Sequence, residues 1–134
     1  MNREHVDIFE KLTGQFASTY DELALLSKKS PNDAVNKFKL KFINQLLDQS
    51  NIFLGEEYKP FDDFMQFDED DMPQNSDVVF ILSQYIQCFE KLRADNVVFR
   101  RGTWHWRVDV GENELGGEHG FVYIRTTKPK RLRE

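Results

Sequence analysis

VVFRRGTWHWRVDV, residues 97–110, follows directly on NSDVVFILSQYIQCFEKLRADN, residues 75–96, and the change of rhythm between them decides the fold. In the first stretch Val78, Val79, Ile81, Leu82, Tyr85, Ile86, Phe89 and Leu92 recur at threes and fours, the spacing of a helix. Their arc exceeds half the circumference, so this helix, about 76–95, is expected to be central, with Ser76 or Asp77 as its cap. In the second stretch side chains alternate. Trp104, Trp106 and Val108 fall on one face of a strand, and His105, Arg107 and Asp109 on the other.

Working outward, RRGT (100–103) reads as a tight turn that leaves Val97–Phe99 as a short first strand. GENELGGEHG (111–120) is a glycine-rich connection, and FVYIRTT (121–127) is the strand that returns. The β-region is therefore 97–126, a small antiparallel hairpin or three-stranded sheet.

Upstream lie two more helical patterns. Phe9, Leu12, Phe16, Leu23 and Leu26, with Val6 and Tyr20 at the margin, predict a helix over 3–28 capped by Asn2. Gly14 inside it costs roughly 1 kcal/mol. Ser30 as cap, Pro31 at the first position and Asp33 as capping-box acid predict a second helix over 31–54, ended by Gly55. Its buried face is expected to hold Val35, Phe38, Phe42, Leu46 and Phe53. The two helices are expected to pair antiparallel. Between Pro60 and Pro73 the acidic loop 56–75 follows neither period, yet it carries Phe61, Phe64 and Phe67. So many aromatics predict an ordered loop that packs its rings on the core and holds its acids in water. The architecture is α+β: an N-terminal helix pair, a central buried third helix, then the sheet. One domain is expected over 1–127, with a basic flexible tail at 128–134.

A chain of 134 residues buries enough surface to fold without a disulfide or metal staple. Its longest apolar run, Val78–Leu82, is far short of a membrane span. The start, MNREHVDIFEKL, carries no apolar signal region. Cys88 is the single cysteine, on an apolar helical pattern where a buried thiol is expected. These features predict a cytoplasmic protein.

The net charge of -5 is unevenly spread. Asp62, Asp63, Asp68, Glu69, Asp70, Asp71 and Asp77 occupy a stretch without a base. Arg125, Lys128, Lys130, Arg131 and Arg133 crowd the other end.

Catalytic chemistry finds little footing. His5, His105 and His119 have no metal-ligand spacing, and no glycine loop cradles phosphate. His105 and Asp109 are about 13 Å apart along a strand, too far for a pair. Glu118 and His119 read as a solvated turn. A calcium loop starting at Asp68 would place Pro73 where glycine is required. Three helices and a hairpin share their order with winged helix-turn-helix proteins. Here, however, the third helix is the most apolar, and the supposed wing at 111–120 carries three glutamates. No enzyme, cofactor or metal site is expected.

The leading expectation is a protein-interaction module, an accessory, regulatory or inhibitor-type subunit. Its partner would carry a basic surface complementary to loop 61–73. Contact residues would be Phe64, Phe67, Asp68, Glu69, Asp70, Asp71 on the loop and Trp104, Trp106, Arg107 on the strand. A homodimer is a further protein contact to consider. The alternative is single-stranded nucleic-acid binding by Trp104, Trp106, Arg100, Arg101, Arg107, Arg125, Lys128, Lys130 and Arg131.

Overall fold

The computed structural model describes residues 1–109 and 121–130. It shows three helices, α1 (Arg3–Lys29), α2 (Lys37–Tyr58) and α3 (Asn75–Asn96). Three strands follow, β1 (Val97–Arg100), β2 (Thr103–Asp109) and β3 (Phe121–Thr126). The α+β architecture is as expected, and the β-region is a three-stranded antiparallel sheet in the order β1-β2-β3.

α1 starts where Asn2 caps it, the side-chain oxygen accepting from His5 N–H at 2.8 Å. Val6, Phe9, Leu12, Phe16 and Leu23 are buried along one stripe. α3 is the shared element. It packs on α1, on α2 and on β2, and its Val78, Leu82, Tyr85, Phe89 and Leu92 are buried.

The start of α2 differs from expectation. Ser30 does not cap it. Its N–H instead donates to Leu26 O at 2.8 Å and closes α1. The carbonyls of Pro31 and Asp33 then accept from Ser76 and Asn75 at 3.1 and 2.9 Å. These are amides at the start of α3 that have no partner within their own helix. Residues that looked like the first turn of α2 thus serve as the N-terminal cap of α3. Asn36 caps α2, accepting from Phe38 and Lys39 N–H at 2.8 and 3.3 Å. α3 begins at Asn75, and Asp77 acts from inside it, its carboxylate accepting Gln74 N–H at 3.1 Å.

The buried face of α2 is also rotated from the expected one. Leu40, Ile43, Leu46, Leu47, Ser50, Asn51 and Leu54 point inward, while Phe38 and Phe42 are exposed. Gly55 breaks the helix with φ +66°, as its position suggested, and one further turn follows.

α3 passes into β1 without a loop. Arg101 and Gly102, at φ +53° and +80°, make the tight turn to β2, a two-residue hairpin of the type that matches strand twist. Val97 pairs with Trp106 and Phe99 with Trp104 across β1 and β2, and Trp106 pairs with Ile124 across β2 and β3. The far end of β2 is tied to the chain start, Asp109 N–H donating to Met1 O at 2.9 Å. At the other terminus Pro129 is buried and Lys130 N–H donates to Glu90 at 3.1 Å. The tail is thus held at least to Lys130, and Arg131, Arg133 and Glu134 lie outside the described residues. So does the glycine-rich connection 111–120, with Glu118 and His119.

Candidate interaction surfaces

Trp106 cannot serve as a contact residue, because it is fully buried. The sheet lays this face on the helices, so its ring meets Phe9 edge-on at 4.8 Å. Its Nε1–H donates to Glu10 at 2.9 Å. That satisfies the indole's one polar group and lets a large amphipathic ring enter the core. Trp104, two residues back on the same face, packs at the margin of the core. It is half-buried against Phe99, whose ring is 5.4 Å away and 62% exposed.

The face turned away from the helices carries Arg100, Arg107 and Arg125 with His105 and Tyr123. Arg100 lies over the Tyr123 ring at 4.2 Å. The expected arginines therefore do gather, but on the face opposite both tryptophans. Arg101 is apart from them in the turn, Lys128 is exposed past β3, and Arg131 is outside the described residues.

The acidic loop is built as a fixed ridge. Phe61, Phe64 and Phe67 form a chain of edge-to-face contacts at 6.0 and 5.1 Å and pack against the core. Two asparagines of α2 clamp its backbone. Asn44 both donates to Phe67 O and accepts from Phe67 N–H, each at 2.9 Å. Asn51 donates to Met65 O at 3.1 Å and accepts from Tyr85 OH at 2.7 Å. Burial pushes the Tyr85 phenol above its ordinary pKa of 10.0, against the opposing effect of the Asn51 hydrogen bond. At Asp68 the chain turns into a single 3-10 turn, Glu69–Asp71, capped by the Asp68 carboxylate on Asp70 N–H at 2.9 Å. Asp62, Asp63, Asp68, Glu69, Asp70 and Asp71 are all exposed. Phe64 and Phe67 mainly anchor the ridge, and the acids present charge.

The third surface was not anticipated. Between α1 and α2 runs an open groove of about 640 Å³. Gly14, Gln15 and Ser18 of α1 line one wall, and Phe38, Phe42, Gln45 and Gln49 of α2 the other. Phe38 is 71% exposed and Phe42 50%, their rings in edge-to-face contact at 5.0 Å. Lys39 and Glu22 join across the groove at 2.7 Å. The signal was present in α2, which has two apolar stripes: one through Leu40, Ile43, Leu47 and Leu54, and another through Phe38, Phe42 and Ile52. Periodicity identifies both and does not say which faces inward.

Among the described residues no three His, Cys, Asp or Glu side chains converge as a metal site. None of the described helices is long and apolar enough to cross a membrane. No family model, curated protein or solved structure matches the chain.

Proposed function

We propose that this protein is a small interaction module, an accessory or regulatory subunit rather than a catalyst, that receives a protein partner in the α1/α2 groove. The exposure of Phe38 and Phe42, side by side on the groove wall, carries the reading. Two adjacent aromatic rings left largely in water gain little on folding, and a bound partner that covers them gains that free energy instead. Buried aromatics of this kind dominate the energy of protein interfaces. The acidic ridge, clamped to α2 through Asn44 and Asn51, favours a partner that brings positive charge beside its apolar anchor. The test compares proteins retained from cells by the wild-type chain and by Phe38→Ser/Phe42→Ser. Loss of at least one specific protein on the double variant is expected. Identical retained sets, with copies of this chain itself counted among them, would remove the groove from consideration.

A second reading, a single-stranded nucleic acid on the outer sheet face, is favoured by Arg100, Arg107, Arg125 and Tyr123 lying together. It survives only without Trp104 and Trp106, which lie on the opposite face. Anisotropy of a labelled oligonucleotide should then rise at low salt and be lost with Arg107→Ala/Arg125→Ala. No rise at low salt sinks it.

A further inference from the structure

We infer that the occupant of the groove is a second copy of this chain, laid antiparallel so that the two α2 helices pack on one another. The inference rests on the groove reading above and names its partner.

Along α2 the outward stripe is Phe38, Phe42, Gln45, Gln49 and Ile52, with Ile52 77% exposed. Its steps of four, three, four and three residues keep the heptad spacing of a helix-packing seam, with Phe38, Phe42 and Ile52 apolar and Gln45 and Gln49 polar between them. α2 already satisfies one apolar face with Leu40, Ile43 and Leu47. A second seam at that spacing is suited to another helix.

The charges of α2 say which helix. Lys37, Lys39 and Lys41 open it, its first turn holds no acid, and Asp48, Glu56 and Glu57 come later. A helix on its own favours the reverse order, acids at the start and bases at the end, because of its macrodipole. Lys39 and Glu56 are already paired within the chain, with Glu22 and Lys59, and an antiparallel copy accounts for the rest, since Lys37 and Lys41 of each α2 then face Asp48 and Glu57 of the other. The acidic ridge reinforces this, being clamped alongside residues 44–51 by Asn44 and Asn51. KFKLKF, residues 37–42, is itself the basic, aromatic segment that the ridge and groove call for. A contact of this kind is isologous, with one patch meeting itself across a two-fold axis, the commonest form of small assembly.

Gly14 supplies an independent observation. A methyl group there would meet no atom within 4 Å, so the fold of one chain has no packing need for glycine. Alanine would be the better helix former. What glycine keeps open is the groove wall, where a second helix can approach.

Sedimentation of the full chain from roughly 1 µM to 1 mM tests this. The mass should climb from 15.9 kDa toward twice that value. Phe42→Ser and Lys37→Glu/Lys41→Glu should each weaken association by at least about tenfold. Gly14→Ala should weaken it too while raising the Tm of the dilute monomer by a few degrees. A chain that stays monomeric throughout, or a dimer indifferent to all three changes, overturns the inference. If the chain is monomeric and Phe38→Ser/Phe42→Ser still loses another protein, the second copy is excluded and the groove reading stands. If neither measurement responds, both fall.

Discussion

The indole N–H of Trp106 donates to Glu10 from inside the core, and full burial of this ring makes the two tryptophans spectroscopically separable. Trp106→Phe removes the bond and part of the packing against Phe9, at a cost of about 2 kcal/mol in urea unfolding. Trp104, partly buried at the margin of the core, tolerates the same change at well under half that cost. The variant that keeps only Trp106 should emit toward the blue and resist acrylamide, and the one that keeps only Trp104 should do neither. Equal quenching of the two would contradict the register of β2. Tyr85 gives a pH signature at the same scale. Its folded pKa is raised, chiefly by burial, so the fold favours the neutral phenol. The associated stability is complete below the unfolded value of 10.0 and is lost as pH rises through the folded pKa. Between about pH 9 and 11 the wild type should therefore lose more Tm than Tyr85→Phe does. At neutral pH the variant should be the less stable, because Asn51 loses a buried donor.

At the scale of the element, α2 teaches most about reading a sequence. α3 and the strands were legible because a wide apolar arc and a strict alternation each have one solution. α2 has two apolar stripes, and the choice belongs to tertiary structure: Leu40, Ile43 and Leu47 face the core, and no local feature says so. The start of α2 differs from the expected one for a related reason. Ser30, Pro31 and Asp33 suit a helix cap, but their backbone carbonyls are engaged by residues more than forty positions away in sequence. The burial of Trp106 was half legible, since alternation gives its face and not how far the helices extend over it. Asn44 and Asn51, polar positions of α2 with no local signal of a role, are the clamps of the acidic loop. The face assignment predicts that Phe42→Ser changes stability by no more than about 0.5 kcal/mol, whereas Leu47→Ala costs about 2–5 kcal/mol. Denaturant midpoints of the dilute monomer decide it, and a large loss at Phe42 there would return the helix to the expected face.

For the whole molecule the question is what holds the sheet to the helices. Arg93 of α3 sits almost fully buried at the joint, its guanidinium over Phe9 at 4.9 Å and Trp106 at 5.6 Å. It donates to Thr126 and Thr127 at 2.7 and 3.0 Å, and Thr126 in turn donates to Glu10 at 3.1 Å. Glu90 lies 3.6 Å from Arg93 Nε, too far for a hydrogen bond, and accepts from Lys130 N–H. One cation thereby ties α1, α3, β3 and the start of the tail. Buried pairs of this kind contribute little net stability compared with apolar residues of the same volume, yet removing one partner strands the other. Arg93→Leu should thus cost about 3–5 kcal/mol by leaving Glu90 without its counter-charge. In Arg93→Leu/Glu90→Leu a substantial part of that loss should return, because the stranded charge is gone. The double-mutant cycle separates the ionic coupling from the packing of the arginine stem over Phe9 and Trp106. If the double variant is as unstable as the two losses added together, the pair is not coupled. The joint then rests on the aromatic packing and the threonine hydrogen bonds alone.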